Sequence, residues 1–252
     1  MSKNIYIHIG NFKTGSTSLQ RFLYLNRNKL KTHNFQMIYE KNFFRGTINN
    51  LRLFQYFDKF QEQKIIKYLK LNNKKKQNYI LTSEYLSCFA DNFDKINFLY
   101  KTFLKLRFNP IIIFYSRNDM NYLYSFYTEL LKHRKIIEID NIFNFVRKIK
   151  NYGHYKNVKN NYYYLSQKYF VDDRIIVKNF KKIFKKNFFM IKCENSNNQI
   201  FKNFLKIIKY QNSNDLIFPK RLNKSRKIKF WNLKRIFYFL FLSFAQKYIL
   251  KL

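Results

Sequence analysis

The sequence predicts an α/β fold in which a central parallel β-sheet is flanked by helices. Strand-like apolar runs alternate with helical patterns along most of the 252 residues, a length that suits one domain of this class. Several predicted strands end in polar residues, at the edge where open parallel sheets place their ligand sites. In addition, the first strand runs into a glycine-containing turn that opens a helix, which is the arrangement of an anion-binding unit.

The first unit occupies residues 5–20, IYIHIGNFKTGSTSLQ. Ile5, Ile7 and Ile9 alternate with other residues as in a buried strand, and the turn at Gly10–Thr17 leads into a predicted helix. That helix is predicted from apolar residues near helical spacing, at Leu19, Phe22, Leu23 and Leu30. Backbone N–H groups at the turn, added to the positive end of the helix dipole, predict a phosphate-binding loop.

The side chains of this loop indicate which phosphate ligand it takes. Gly10 and Gly15 keep the spacing of the nucleotide-binding motif G-x-x-x-x-G-K-[ST], but Ser16 stands at the lysine position and Lys13 lies inside the loop. The segment resembles the phosphosulfate-binding loop of sulfotransferases that use 3′-phosphoadenosine 5′-phosphosulfate (PAPS), particularly bacterial carbohydrate-type forms that begin H-I-G-x-x-K-T-G-[ST]-T-S-[IL]-Q. The residues in register with that motif are His8, Gly10, Lys13, Thr14, Gly15, Ser16, Thr17 and Gln20.

Two longer helices are predicted between the following strands. Phe54–Leu71 has a helical pattern, and a polar connector at residues 72–77 follows it. The candidate apolar positions of this helix are Phe57, Phe60, Ile65, Tyr68 and Leu69. Phe93–Leu106 is the second predicted helix.

The second strand, Tyr79–Thr82, ends in Ser83 and Glu84. A carboxylate at this edge can act as a general base, and sulfuryl transfer needs one because the acceptor hydroxyl loses its proton as the sulfur is attacked. The resemblance implies this role for Glu84, since carbohydrate sulfotransferases have a similar S-S-E motif. The alternative roles for Glu84 are capping of the next helix and an ion pair with a lysine.

The third strand is the unbroken apolar run Ile111–Tyr115, which fits a central parallel strand and follows a break at Asn109 and Pro110. Ser125 comes eight positions after Arg117, which follows the strand. This order resembles the 3′-phosphate motif of the same sulfotransferases. An arginine offers phosphate a two-pronged hydrogen bond, and a serine on the next helix adds one more.

The later part of the chain predicts two further strands, Arg174–Val177 and Phe188–Ile191, and a helix at Ile200–Lys209. The tyrosines of Tyr155–Tyr169 either line an acceptor cleft or pack in the core, and packing is favoured. Relatives often carry a tyrosine–glutamate pair after the fourth strand, but this chain has residues 178–180, Lys-Asn-Phe, there. Any acceptor role at that position is therefore lost.

The resemblance implies the sulfotransferase variant of the P-loop nucleoside-phosphate fold and transfer of a sulfuryl group from PAPS to a hydroxyl, on a sugar or glycan. The implied catalytic residues are Lys13, Glu84 and His8. Lys13 would stabilise the bridging oxygen between sulfur and phosphate, and Glu84 would be the base. His8 would help to orient the loop, and a base role for it is less favoured than for Glu84. Because the lysine supplies positive charge, no metal is expected. The implied donor-binding residues are Lys13, Thr14, Gly15, Ser16, Thr17, Arg117, Ser125, Asn223 and Ser225. The other histidines, for which surface or packing roles are expected, are His33, His133 and His154.

The net charge of +36, from 50 Lys and Arg against 14 Asp and Glu, favours an anionic donor or acceptor. Lys, Asn, Ile, Phe and Tyr all have A/T-rich codons, so genome composition accounts for part of this charge. No nucleic-acid partner is expected, because the sequence has no helix-turn-helix, zinc or RNP signature. Two rival functions remain: a non-catalytic basic protein that binds nucleic acid or a membrane surface, and an ATP-dependent small-molecule kinase. The kinase expects a lysine at position 16 and a strand-end aspartate for a metal.

The predicted α/β domain covers residues 1–227, and residues 228–252 are predicted to form a basic, aromatic helix. Asn223 and Ser225 resemble the late N-x-S segment that closes over the cofactor in bacterial relatives, with a solvated basic loop as the alternative. The uncharged run 236–246 is shorter than the roughly 20 residues that span a bilayer, so the helix either packs on the domain or lies at a membrane surface. The N-terminus has no apolar signal segment, which predicts a cytoplasmic location, peripheral on the inner membrane surface in the second case. The two cysteines, too few for a disulfide framework, are expected to be reduced.

Overall fold

The computed structural model describes residues 3–11, 14–39, 50–70, 77–117, 154–156, 169–171, 173–193 and 197–219. These residues belong to one compact unit that extends to Pro219. The predicted domain boundary at residue 227, the predicted helix at 228–252 and residues 72–76 of the predicted connector at 72–77 lie outside them, and these remain predictions.

A parallel sheet forms the centre of the described structure. Its strands have the order β2-β3-β1-β4-β7, and each neighbouring pair is parallel. A separate antiparallel pair is formed by β5 and β6. The strands are β1 (Lys3–Gly10), β2 (Phe35–Ile38), β3 (Asn78–Thr82), β4 (Phe108–Ser116), β5 (His154–Lys156), β6 (Tyr169–Val171) and β7 (Phe188–Lys192). The predicted α/β fold with a parallel sheet is confirmed.

Helices cover both faces of this sheet. The α-helices are α1 (Ser16–Leu25), α2 (Arg27–Thr32), α3 (Leu51–Asp58), α4 (Glu62–Lys70), α5 (Phe93–Lys105), α6 (Asp173–Phe184) and α7 (Asn197–Ile207). Short 3-10 helices occupy Glu84–Asp91, Lys185–Asn187 and Ser213–Asp215. No helix in the part of the chain that the structure describes is long and apolar enough to cross a membrane.

The core consists of two apolar layers separated by the sheet. Side chains alternate along β1, so Ile5, Ile7 and Ile9 pack with α3, α4, α5 and α6, whereas Tyr6 packs with α1, α2 and α7. Because both faces are covered, β4 is buried along Ile111–Tyr115, which explains its unbroken apolar sequence.

The predicted strand at Arg174–Val177 is wrong, because these residues belong to α6. Its β-branched residues favoured a strand, but the buried positions Ile176, Phe180 and Phe184 recur every four residues, which is the spacing of one helical face. Lys178 and Asn179 therefore lie within a helix and do not follow a strand. The side chain of Asn179 donates to the carbonyl oxygen of Ala90 at 2.6 Å.

Two predicted helices are each divided in two. The Phe54–Leu71 segment forms α3 and α4, with a break at Phe60, whose φ of 52° is left-handed and whose side chain is 48% exposed rather than in the core. The predicted helix after the loop forms α1 and α2, with a break at Asn26. The side-chain amide of Asn26 donates to the carbonyl oxygens of Phe22 and Ile217 at 2.8 and 2.9 Å. Asn26 therefore ends α1 and holds the later segment around Ile217 against it.

The remaining differences concern strand limits. The strand β2 at Phe35–Ile38 was not predicted from the sequence. β4 begins at Phe108, so Pro110 lies inside the strand rather than before it. The predicted strand at Phe188–Ile191 is confirmed as β7, and the predicted helix at Ile200–Lys209 corresponds to α7.

Candidate functional site

The loop after β1 requires glycine at two positions for different reasons. A Cβ atom at Gly10 would lie 2.9 Å from Thr14 Oγ1 and 3.3 Å from the carbonyl oxygen of Tyr115, so a side chain does not fit. Gly15 has a φ of 90°, in the left-handed region that residues with a side chain adopt at a cost. Its carbonyl oxygen accepts the N–H groups of Ser18 and Leu19 at 3.0 and 3.1 Å and so begins α1. The predicted turn between β1 and a helix is confirmed.

Hydroxyl groups hold this turn together. Thr14 Oγ1 donates to the carbonyl oxygen of Asn11 at 2.6 Å and lies 3.4 Å from Ser16 Oγ. Thr14 and Ser16 are buried, whereas Gly15 and Thr17 are half-buried and border the solvent. The first turn of α1 contains no acidic residue, so its N–H groups and dipole favour an anion there. Phe12 and Lys13 lie outside the described residues, and the role of Lys13 remains a prediction.

The site elements follow three adjacent strands. β1 lies between β3 and β4, and Glu84 and Arg117 come just after the ends of those two flanking strands. The carbonyl oxygen of His8 in β1 accepts the N–H of Ser83 at 3.0 Å, which fixes the chain leading to Glu84 beside β1. Because neighbouring strands lie about 4.8 Å apart, the two flanking strands are separated by about 10 Å, with the loop between them. The structure thus brings Glu84, the loop and Arg117 to the same edge of the sheet.

Glu84 begins the 3-10 helix Glu84–Asp91 and is half-buried. The hydroxyl of Ser87 donates to its carbonyl oxygen at 2.7 Å. The next α-helix, α5, is capped by Asn92, whose Oδ1 accepts the N–H of Lys95 at 3.1 Å. The capping role considered for Glu84 therefore belongs to Asn92 where α5 is concerned.

His8 is fully buried in the sheet, directly before the loop. Within the described residues, neither of its ring nitrogens has a hydrogen-bond partner, and its ring packs edge-on against Tyr115 at 4.5 Å between centroids. Burial lowers the pKa of His8 to about 3, so the ring is neutral near pH 7 and accepts a proton unfavourably. This environment favours Glu84 over His8 as a general base.

Two of the other histidines belong to the described residues. His33 is exposed and packs against Tyr210, and Asn212 Nδ2 lies 3.2 Å from His33 Nε2. His154 lies in β5, opposite Val171 of β6. The remaining predicted site residues, Ser125, Asn223 and Ser225, and the third histidine, His133, lie outside the described residues.

Sequence reasoning missed a buried carboxylate in this region. Asp173, the first residue of α6, is 6% exposed and accepts hydrogen bonds from Asn11 Nδ2 at 2.7 Å and from Ser116 Oγ at 2.5 Å. Asn11 starts the loop, and Ser116 is the last residue of β4. The signal that could have found it is an acidic residue at the start of the helical pattern Ile176, Phe180.

Comparisons with known proteins support the fold. No protein-family model matches the sequence, and no curated protein matches it at a significant level. The structure is similar to the crystal structure of a sulfotransferase from Alicyclobacillus acidocaldarius, with a TM-score of 0.51, 12% sequence identity, and coverage of 90% of this chain and 88% of that chain. At this identity the similarity concerns the fold, and the predicted sulfotransferase type of parallel α/β fold is confirmed.

Proposed function

We propose that this protein transfers a sulfuryl group from PAPS to a hydroxyl group of a sugar or glycan. The observation that carries the proposal is the arrangement at one sheet edge: the loop after β1 has Glu84 on one side and Arg117 on the other. The loop sequence, with Lys13 inside it, and the similarity in fold to a sulfotransferase support the same conclusion.

In this proposal the donor binds through its two separated phosphates. The 5′-phosphosulfate accepts hydrogen bonds from the N–H groups at the start of α1 and from the hydroxyls of Ser16 and Thr17. Arg117 holds the 3′-phosphate, with Ser125 supplying a further hydrogen bond. The loop follows β1 and Arg117 follows the adjacent strand β4, so the two phosphate-binding parts lie side by side at one edge of the sheet, which suits a ligand whose phosphates are attached to different positions of one ribose.

The chemistry needs one base and one positive charge. The acceptor oxygen attacks the sulfur while Glu84 takes the hydroxyl proton, and the bond between sulfur and the bridging oxygen breaks. The bonding electron pair stays on the 5′-phosphate, so that 3′-phosphoadenosine 5′-phosphate (PAP) leaves and the acceptor becomes a sulfate ester. Lys13 stabilises the charge that grows on the bridging oxygen, which is the part a metal ion plays in kinases. We therefore propose that turnover requires no metal ion.

The residue at position 16 argues against the kinase alternative. Ser16 replaces the lysine that a nucleoside-triphosphate loop expects there, and its buried hydroxyl lies 3.4 Å from Thr14 Oγ1 as part of the loop. The basic-protein alternative makes a different prediction, because binding through net charge alone weakens steeply with salt and does not depend on one arginine.

Calorimetry with PAP tests the proposal. The wild-type protein should bind PAP saturably, and Arg117→Ala should weaken binding by about 10- to 150-fold, the effect of losing hydrogen bonds to a charged group. Arg107→Ala is the matched control, since Arg107 is exposed and precedes β4 at the opposite end. This variant loses the same charge and should bind normally. Failure of the wild-type protein to bind PAP, or equal weakening by both substitutions, would contradict the proposal.

A further inference from the structure

Asp173 connects two parts of the proposed donor site that are far apart in sequence. Its Oδ1 accepts the side-chain N–H of Asn11 at 2.7 Å, and its Oδ2 accepts the hydroxyl of Ser116 at 2.5 Å. The three residues are 6%, 1% and 8% exposed, respectively, so the bridge is shielded from water. Each carboxylate oxygen therefore holds a different strand end.

Asn11 and Ser116, which donate these two hydrogen bonds, adjoin the residues that would bind phosphate. Asn11 begins the loop, and its carbonyl oxygen accepts the Thr14 hydroxyl at 2.6 Å, so this residue is held through its backbone as well as its side chain. Ser116 directly precedes Arg117, and its carbonyl oxygen accepts the N–H of Cys193 at 2.8 Å. The Asp173 bridge therefore fixes the loop relative to the residue before Arg117.

A carboxylate at this place carries two electrostatic costs. Removing it from water is unfavourable unless donors satisfy it, and its negative charge opposes the binding of an anionic ligand nearby. The two hydrogen bonds and the N-terminal end of α6 offset the first cost. The negative charge does not itself help to bind a phosphate, but the carboxylate accepts hydrogen bonds from two segments that adjoin the proposed phosphate sites.

We infer that Asp173 is a positioning residue that holds the phosphate-binding loop and the end of β4 in the arrangement needed for the two donor phosphates. The inference rests on the proposed function for the identity of the ligand. α6 also contacts the third part of the site, because Asn179 Nδ2 donates to the carbonyl oxygen of Ala90 in the 3-10 helix that starts at Glu84. One helix thus contacts the chain on both sides of the loop as well as the loop itself.

Two substitutions separate positioning from charge. Asp173→Ala removes both hydrogen bonds, whereas Asp173→Asn keeps an oxygen that can accept from Asn11 and gains an N–H that can donate to Ser116. If the loop then adopts its binding arrangement in only one molecule in ten, the dissociation constant for PAP rises about tenfold in Asp173→Ala. Asp173→Asn should stay within about threefold of the wild-type affinity, which corresponds to less than 1 kcal/mol.

Asp58→Ala serves as the matched control. Asp58 is a carboxylate as well, half-buried rather than buried, and its Oδ1 accepts from Lys95 Nζ at 2.5 Å. This variant should lose some stability and keep its affinity for PAP. Unfolding by denaturant, measured on every variant, separates lost stability from lost affinity.

Amide hydrogen exchange on the ligand-free protein gives a second measurement that does not depend on the ligand. Asp173→Ala should increase exchange at residues 14–17 and at Arg117, whereas Asp173→Asn should leave it unchanged. Wild-type affinity and wild-type exchange in a folded Asp173→Ala variant would overturn the inference, as would equal loss in both variants. If Asp173→Ala does not fold, Asn11→Ala and Ser116→Ala each remove half of the bridge, and unchanged exchange in both would overturn it. If the wild-type protein does not bind PAP but the exchange pattern is as expected, the proposed function fails and the positioning role stands.

Discussion

Replacing Gly10 by alanine should deform the phosphate-binding loop and weaken PAP binding. The added Cβ would lie 2.9 Å from Thr14 Oγ1 and 3.3 Å from the carbonyl oxygen of Tyr115. Neither atom can retreat easily, because Thr14 Oγ1 donates to the Asn11 carbonyl at 2.6 Å and the Tyr115 carbonyl belongs to the backbone of β4. The loop must therefore move.

The expected loss of PAP affinity in Gly10→Ala follows from the strain that the added Cβ causes. Overpacking of a well-packed site costs about 1–3 kcal/mol. If the loop relieves this strain by leaving its binding conformation, the same free energy is lost from PAP binding, a factor of about 5–150 in the dissociation constant. Calorimetry with PAP measures the affinity, and denaturant unfolding measures the stability.

Gly15→Ala provides the comparison. A Cβ there meets only Ile200 Cδ1 at 3.9 Å, an ordinary contact, so the substitution adds backbone strain of about 1–2 kcal/mol at a φ of 90° without a clash. If Gly10→Ala keeps both the stability and the PAP affinity of the wild-type protein, the described loop geometry is not the binding geometry and the reasoning fails.

Three further predictions concern the chemistry and its pH dependence. Glu84→Gln should lower kcat by about 100-fold or more and leave PAP affinity within about twofold, because the base acts on the acceptor; an unchanged kcat would exclude Glu84 as the base. Lys13→Ala should lower kcat more than it weakens PAP binding, and an effect on binding alone would contradict its role at the bridging oxygen. Burial lowers the pKa of His8 to about 3 from 6.5, so the unfolded chain binds more protons between these values and stability is lost as the pH falls below 6.5. This loss amounts to about 2 kcal/mol at pH 5 and should be absent from His8→Phe in denaturant unfolding, whereas an identical pH dependence in both proteins would refute it.

The elements that sequence patterns predict well are those whose constraints are local. β1, β3 and β4 are buried strands with short apolar runs, and their polar ends lie where a parallel sheet places a site. The spacing of the two loop glycines already placed them in the turn, and the structure gives the reasons: one position lacks space for a side chain and the other has a left-handed φ. The placement of Glu84 and Arg117 beside the loop then follows from the strand order.

The features that the sequence analysis missed depend on longer-range information. The start of α6 contains Ile175, Ile176 and Val177, which match a strand over a short window, and the helical spacing appears only when Phe180 and Phe184 are included. A local pattern can mark Asp173 as an acidic residue at the start of a helix, but the bridge that it forms joins residues 162 positions apart, and no local pattern indicates that contact. Breaks such as the left-handed residue Phe60 between α3 and α4 also depend on how the two helices pack, and intrinsic preference alone does not specify them.

The central claim is that one site binds two separated phosphates, and the affinity for PAP relative to adenosine 5′-phosphate tests it most directly. The two nucleotides differ only in the 3′-phosphate, so the ratio of their dissociation constants isolates the contribution of that group. We predict that the wild-type protein prefers PAP by about tenfold or more, that Arg117→Ala loses most of this preference, and that Arg107→Ala keeps it. Equal affinity of the wild-type protein for the two nucleotides would contradict the account.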